Sequence, residues 1–313
     1  MRVIIVGAGS LGLLWAGRLQ AAGNRVLLLT RTSEQAEVIR QRGITIKEAG
    51  SGKSVLVHVS AEPLAGMRER ALHPEWVLLM VKQHQLGEEM LRQVRNCCGD
   101  QTRWICFQNG IGHMERAAAI LGESLYAAVT TEAALRVDGC HVIHTGRGKT
   151  EWGRLAGGQA KDEEKKLAAL WRKAGFANDV SNDIDTAIWN KLLVNACINP
   201  LTALLHIRNG QLLQLAHASA MLRELANEAC LLARMLQKPI DCGQLWARLV
   251  QVCEATADNQ SSMLQDVSLG RTTEIDAITG ALLSEAEKQR LDLPLHRTVY
   301  RMVKALEERG AYR

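Results

Sequence analysis

The stretch from Arg2 to Thr30 constrains the fold more than any other part of the 313-residue chain. It reads RVIIVGAGSLGLLWAGRLQAAGNRVLLLT, in which two apolar runs flank a GxGxxG turn and leucines at helical spacing. This order predicts a strand, a tight turn, a helix and a second strand, the first unit of a dinucleotide-binding fold. The predicted cofactor contacts in the turn are Gly7, Ala8, Gly9, Ser10, Leu11 and Gly12.

Each glycine of the turn has its own predicted role. Gly7 permits the tight turn, Gly9 lets the backbone approach a pyrophosphate, and Gly12 lets the helix pack closely on the strand. The N–H groups at the start of the helix favour the phosphates. The alternative is a glycine-rich turn in an unrelated α/β protein.

The end of the second strand indicates which dinucleotide is bound. NAD-binding proteins usually carry an acidic residue there, whereas this strand ends in Thr30 and is followed by Arg31-Thr32-Ser33. A guanidinium and hydroxyls suit a 2′-phosphate, so the sequence predicts NADP(H). Glu34 weakens this case, and the alternative is a solvated arginine in a loop.

Further apolar runs predict more strands. Segments 76–82 and 102–112 end in Lys82 and in Asn109-Gly110. Because ligands of open α/β sheets bind beyond the carboxyl ends of strands, both side chains are site candidates, although Asn109 could belong to a simple turn. Segments 124–136, 140–146 and 149–153 predict later strands, with an antiparallel edge.

The second half of the chain is dominated by helical patterns. A polar segment at 176–183 is interpreted as a hinge, and glycines and prolines punctuate the helices beyond it. The predicted architecture is an α/β fold in which a Rossmann-type domain (1–181) is followed by an all-helical C-terminal domain (182–313). The cleft between two such domains is the default ligand site.

Polar side chains interrupt one apolar helix of the second half. Lys191, Asn195 and Asn199 follow one another at four-residue intervals and therefore share a helix face, with Pro200 directly behind them. Pro200 is expected to bend the helix or to free a carbonyl. Polar groups in an apolar setting need partners, which a bound polar ligand would supply. The alternative is a solvated face.

A second polar constellation lies between residues 259 and 280. Ser261 and Ser262 are predicted on a helix that ends near Gly270. Thr272 is predicted to cap a new helix with Glu274 in its first turn, where an ionised carboxylate is favoured. Glu274 could equally complement the helix dipole alone.

Composition limits the partners. The net charge of +5 suits a small anionic ligand at least as well as nucleic acid, and no basic run supports nucleic-acid binding. No apolar run is long enough for a bilayer, and the sequence opens on a strand rather than a signal peptide. Eight cysteines without metal-site spacing predict free thiols, no metal and a cytoplasmic location; the adjacent Cys97-Cys98 pair is a lesser redox candidate. Because only 12 residues are aromatic, an aliphatic core is expected.

Taken together, these segments resemble the ketopantoate reductase (2-dehydropantoate 2-reductase) family over nearly the whole chain. The resemblance is carried by GAGSLG, VKQHQL, QNGIG, TTEAA, WNKLLVNACINPLTAL, RNGQL and SSMLQDVSLGRTTEIDAITG. Members reduce 2-dehydropantoate to (R)-pantoate with NADPH, on the route to pantothenate and coenzyme A. The resemblance thus implies a small anionic 2-oxo acid as substrate.

The resemblance also assigns roles by position. Lys191 corresponds to the proton donor, and Glu274 lies near both the cofactor and the reacting centre. The implied substrate contacts are Asn109, Asn195, Asn199, Asn209 and Ser262. The implied cofactor contacts outside the glycine turn are Arg31, Lys82, Asn109, Ala134 and Glu274.

Three alternatives remain open at this point. The substrate could be another small 2-oxo acid, or the chain could be a different β-hydroxyacid- or 6-phosphogluconate-type dehydrogenase. From another class, it could be a non-catalytic NADPH-binding sensor, although the lysine and its asparagine stripe argue against that. The oligomeric state, including a homodimer, is also open.

Overall fold

A computed structural model describes residues 1–67 and 72–311 and divides the chain into two compact units. The first unit contains Met1–Gln108 and His113–Ile184, and the second contains Asn109–Gly112 and the chain from Asp185 onward. The division after Ile184 lies three residues beyond the boundary predicted from the sequence. The four residues of the 109–112 loop are the main difference, because their contacts place them in the second unit.

The first unit is built on an eight-stranded sheet in the order β12-β11-β8-β7-β6-β1-β2-β5. All neighbours are parallel except β8 and β11. The central strand β1 is buried on both faces, which explains its unbroken apolar run. The strands are β1 Arg2–Val6, β2 Arg25–Thr30, β5 Ser60–Pro63, β6 Trp76–Leu79, β7 Arg103–Cys106, β8 Leu125–Thr130, β11 Lys149–Arg154 and β12 Ala177–Val180.

A second, four-stranded sheet was not predicted. Its order is β4-β3-β10-β9, with β3 Ile44–Glu48, β4 Ser54–Val57, β9 Ala133–Arg136 and β10 His141–Gly146. The segment 124–136 therefore supplies strands to two different sheets. Periodicity identifies a strand but not its partner, so β10 was expected in the main sheet.

Helices cover the sheets of the first unit. They are α1 Ser10–Ala21, α2 Ser33–Arg42, α3 Glu88–Asn96, α4 His113–Leu121 and α5 Asp162–Lys173, with short 3₁₀ turns at Leu64–Met67 and Gln83–Gln85. The predicted polar hinge at 176–183 is wrong, because Ala177–Val180 forms the edge strand β12, parallel to β11. An edge strand tolerates polar residues on its outer side, and this hides it in the sequence.

The core of the first unit is partly aromatic, which corrects the expectation of an aliphatic core. Trp15 stacks on Phe176 with ring centroids 3.9 Å apart and meets Trp171 and Phe107 edge-on. Trp152 extends the cluster through Trp171. Few aromatics are needed for such a core when they are concentrated in one unit.

The second unit is helical. Its elements are α6 Ile184–Leu205, α7 Gln211–Gln214, α8 Ala216–Met235, α9 Cys242–Ala255, α10 Ser262–Ser268, a π-helical turn Asp276–Gly280, α11 Ala281–Lys288 and α12 Pro294–Ala311. The central helix α6 carries a buried aliphatic face that includes Leu192, Leu193 and Ile198. No described helix combines the length and apolarity that a bilayer span requires. The fold class predicted from the sequence is confirmed.

Candidate active site

The glycine turn between β1 and α1 has the geometry of a phosphate-binding turn. Gly7 has a φ of +110°, and a Cβ there would lie 2.9 Å from the Val81 nitrogen. A Cβ on Gly12 would lie 1.8 Å from the Gly7 oxygen, so only glycine allows this close contact between turn and helix. Gly9, by contrast, has open space where its side chain would be. The N-terminus of α1 is thus left accessible to an anion.

Two side chains that the sequence analysis missed hold this turn in place. Gln35 on α2 donates to the carbonyls of Ala8 and Gly139. Arg136 on β9 donates a guanidinium hydrogen bond to the Ala8 carbonyl, and its backbone N–H donates to the Ser10 hydroxyl. The contacts are 27 and more residues apart along the chain, so no local pattern reveals them.

The remaining predicted cofactor residues of the first unit lie at strand ends or on the second sheet. Arg31 directly follows β2, is exposed and has no ionic partner in the described part of the chain. Lys82 precedes the 3₁₀ turn that follows β6, and Ala134 lies on β9, the strand that carries Arg136. Arg31 and Lys82 both follow parallel strands of the main sheet at their carboxyl ends, as predicted.

In the second unit, the polar stripe lies on one unbroken helix. Lys191, Asn195 and Asn199 are all on α6, which continues through Pro200 to Leu205. Pro200 therefore does not end the helix, although it cannot donate a hydrogen bond to the carbonyl of Ala196 one turn before it. Lys191 and Asn195 are half-buried and Asn199 is buried. The stripe is therefore partly shielded from water, most strongly at Asn199.

Lys191 is an ammonium in poorly solvated surroundings. Burial lowers the pKa of Lys191 to about 8, and the negative charge of Glu274 opposes part of that shift. An ordinary lysine has a pKa near ~10.4, so this group is far easier to deprotonate. A lysine with such a pKa, within the electrostatic influence of a carboxylate, is suited to giving up a proton near neutral pH.

Glu274 is fixed by the 109–112 loop. The Asn109 carboxamide donates a hydrogen bond of 2.8 Å to Glu274 Oε2. Glu274 precedes the π-helical turn rather than lying in the first turn of a helix, and the hydroxyl that accepts the Ile275 N–H is that of Thr273, not Thr272 as predicted. Adjacent threonines give the same capping signal, so the sequence could not separate them.

The other predicted substrate contacts are also in this unit. Asn209 is buried, and its carboxamide donates to the Thr256 hydroxyl, while its Oδ1 has no partner among the described residues. Ser262 is exposed at the start of α10, and Ser261 caps that helix by accepting the Leu264 N–H. A buried orphan oxygen and an exposed hydroxyl are both available to a ligand.

One group of potential metal ligands also appears at the turn between β9 and β10. One potential ligand atom each from Asp138, Cys140 and His141 lies within 4.8 Å of the other two. Asp138 Oδ1 already accepts the backbone N–H groups of Cys140 and His141, and its Oδ2 lies 2.6 Å from His141 Nδ1. The aspartate thus serves the turn itself, which accounts for the cluster.

A glycine turn on a parallel sheet, followed by a helical unit that carries a lysine of lowered pKa, is typical of the class of Rossmann-type oxidoreductases. Comparison with known families is more specific. Residues 3–157 match the model of ketopantoate reductase PanE/ApbA, and residues 183–307 match that of its C-terminal region. The chain belongs to the ketopantoate reductase family.

Individual relatives match along their whole length. The chain is 34% identical to the 2-dehydropantoate 2-reductase of Bacillus subtilis (strain 168) over 98% of both chains. It is 30% identical to that of Archaeoglobus fulgidus, again over 98% of both. Among solved structures, D-mandelate dehydrogenase with NADH and anilino(oxo)acetate matches with a TM-score of 0.90 at 27% identity, covering 99% of this chain and 100% of that one.

The geometry of the glycine turn predicts that alanine at Gly12 lowers stability, whereas alanine at Gly9 weakens dinucleotide binding. Gly12→Ala forces a Cβ into the Gly7 carbonyl and should cost roughly 3 kcal/mol of unfolding free energy. Gly9→Ala meets no protein atom, so it should change stability by about 1 kcal/mol or less and instead weaken dinucleotide binding. Urea unfolding and fluorescence titration with NADPH measure the two effects. Equal destabilisation by both substitutions would contradict this assignment.

The depressed pKa of Lys191 predicts a stability cost. Below about pH 8 the ammonium is charged in both states but is desolvated only in the folded one. Lys191→Met should therefore raise the unfolding free energy at pH 7 by roughly 1–3 kcal/mol, and the gain should vanish as the pH rises toward ~10.4. The control is Lys166→Met on the exposed side of α5, which should be nearly neutral. An unchanged or lower stability of Lys191→Met at pH 7 would contradict the desolvation.

Proposed function

We propose that this protein reduces 2-dehydropantoate to (R)-pantoate with NADPH. The observation that carries the proposal is Lys191, an ammonium with a pKa near 8 beside Glu274, on the same helix face as two carboxamides. The names of the full-length relatives support the substrate. Eight free cysteines, six of them buried, support a reducing, cytoplasmic location.

The residues of the first unit fit NADPH. The open space at Gly9 and the uncapped N-terminus of α1 would receive the pyrophosphate. The unpartnered guanidinium of Arg31 would receive the 2′-phosphate, which its planar donors match. When bound, the cofactor supplies a hydride to the carbonyl carbon.

Lys191 completes the reduction by donating its proton. As the carbonyl carbon gains a hydride, its oxygen becomes negative, and the ammonium stabilises this charge and protonates it to the alcohol. At pH 7 a group with a pKa near 8 is about nine-tenths protonated, which is the state a donor needs. Glu274 helps to keep the lysine charged until that step.

Asparagine and serine side chains are suited to recognise the substrate. Ketopantoate offers a carboxylate, a 2-oxo group and a hydroxyl, so it needs both donors and acceptors. Carboxamides supply both, and a serine hydroxyl does so as well. We assign Asn195, Asn199 and Ser262 to these groups, with Asn209 presenting its unpartnered oxygen.

A second candidate is the reduction of a different 2-oxo acid. The structural likeness to D-mandelate dehydrogenase favours it, because that protein shares the whole fold at a TM-score of 0.90. The reducing machinery would be the same and only the substrate side chain would differ.

Oxidation of NADPH with a panel of 2-oxo acids tests both candidates. We expect ketopantoate to give the highest kcat/KM, well above those of 2-oxoisovalerate and phenylglyoxylate. A higher value for phenylglyoxylate would favour the second candidate. The absence of turnover with every acid, despite NADPH binding, would indicate a sensor instead.

Reversing the charge of Arg31 should change cofactor preference. Arg31→Asp removes a charge-assisted contact to the 2′-phosphate, worth roughly 1.5–3 kcal/mol, and should weaken NADPH binding by about ten- to a hundredfold while NADH changes little. Lys166→Asp is the control, since α5 packs on β12 at the sheet edge opposite β2 and β5. Equal losses for both cofactors would count against the assignment.

The pH dependence of turnover tests the proton donor. In the wild type, kcat for reduction should fall as the pH rises through about 8, because the ammonium is lost. Lys191→Ala should lower kcat roughly 10²–10⁴-fold with NADPH binding intact. Lys191→Arg should not restore it, since a guanidinium hardly gives up its proton. Near-normal kcat in Lys191→Ala would mean that the lysine is structural.

A further inference from the structure

The 109–112 loop meets the π-helical turn through a glycine. Gly110 has a φ of +85°, and a Cβ on it would lie 2.0 Å from the carbonyl oxygen of Ala277. The next residue, Ile111, directs its backbone N–H at the same oxygen over 3.4 Å. No other residue type could bring the backbone so close to this carbonyl.

The π-helical turn that contacts the 109–112 loop is held in place by side chains of α12. Asp276, the first residue of the π-helical turn, accepts a hydrogen bond from the Tyr300 hydroxyl and an ion pair from Lys304, both on α12. Just before the turn, Thr273 donates its N–H and its hydroxyl to Glu307, also on α12. The carbonyl of Ala277 is therefore a fixed point on which the loop rests.

We propose that Gly110 is a positioning residue for the reduction proposed above: its missing side chain lets the 109–112 loop seat on Ala277, and this seating holds the Asn109 amide on the Glu274 carboxylate. Asn109 and Glu274 are 165 positions apart in the chain, so their 2.8 Å hydrogen bond depends on how the loop is seated. Gly110 itself contacts neither reactant.

The consequence of the seating reaches Lys191 through Glu274. The negative charge of Glu274 acts on Lys191 and raises its pKa against the effect of burial. A displaced loop withdraws the Asn109 donor and lets the half-buried carboxylate turn toward water. Lys191 then keeps its desolvation while the raising effect of the Glu274 charge weakens, so its pKa should fall below about 8.

Two glycines in the same loop provide a matched test. Gly112 has a φ of +86°, nearly that of Gly110, but a Cβ on it meets nothing within 4 Å. Gly112→Ala therefore adds the same backbone strain without the collision, and only Gly110→Ala should unseat the loop. Should backbone strain prevent folding, Gly110→Asn and Gly112→Asn repeat the comparison, because asparagine tolerates positive φ while keeping the Cβ.

The readout is the titration of Lys191, measured by the pH dependence of its acylation rate followed by mass spectrometry. We expect Gly110→Ala or Gly110→Asn to lower this pKa by about one unit, while the Gly112 variants keep the wild-type value. For the enzyme, such a shift lowers kcat at pH 8 about fivefold, since the protonated fraction falls from about half to about a tenth.

A double substitution separates positioning from general damage. In an Asn109→Ala background, Gly110→Ala should shift the lysine pKa little further, because the contact it disturbs is already gone. An unchanged or raised pKa in the Gly110 variants, or equal shifts in the Gly112 variants, would overturn the proposal. Acylation of Lys191 needs no substrate, so it tests the role of Gly110 even if the protein does not reduce ketopantoate.

Discussion

A lysine ammonium held away from water is the constraint on which the helical unit depends. Lys191 projects from a helix whose neighbouring positions are buried leucines, and burial alone would drive its pKa down. The negative charge of Glu274 offsets part of the free-energy cost of desolvating the ammonium. A half-buried carboxylate needs hydrogen-bond donors of its own, and Asn109 supplies one. Asn109 thus stabilises the Glu274 carboxylate through a hydrogen bond, and the charge of Glu274 in turn stabilises the ammonium of Lys191.

The elements around Lys191 and Glu274 are held in place by further hydrogen bonds and ion pairs. The π-helical turn next to Glu274 is pinned to α12 through Asp276 and Thr273, and α6 is joined to the start of α10 by the Thr202 and Ser261 hydroxyls, 2.7 Å apart. In the proposed reduction, the burial that destabilises the charged Lys191 also lowers its pKa and so favours proton donation, which is an exchange of stability for function.

Much of the fold follows from local patterns. The GxGxxG turn, the apolar parallel strands and the face shared by Lys191, Asn195 and Asn199 are set by neighbours a few residues apart, so the sequence predicts them. The four-stranded sheet, the edge strand β12 and the aromatic core depend on pairings between distant segments, which periodicity does not record. The supports of the site were missed for the same reason: Arg136 and Gln35 act on a turn far from them in sequence.

In the proposed function, the groups assigned to the reaction and the groups assigned to substrate selection are of different kinds. The glycine turn, Gly110, Lys191 and Glu274 are proposed to act through backbone shape and charge, so substitutions there are expected to impair cofactor binding or proton transfer. The proposed substrate contacts are a few amides and a hydroxyl, which can change without disturbing the fold. A protein that differs at about three-quarters of its positions, such as D-mandelate dehydrogenase at 27% identity, therefore keeps the architecture while acting on a different hydroxy acid. Family membership consequently fixes the hydride and proton chemistry more firmly than it fixes the acid.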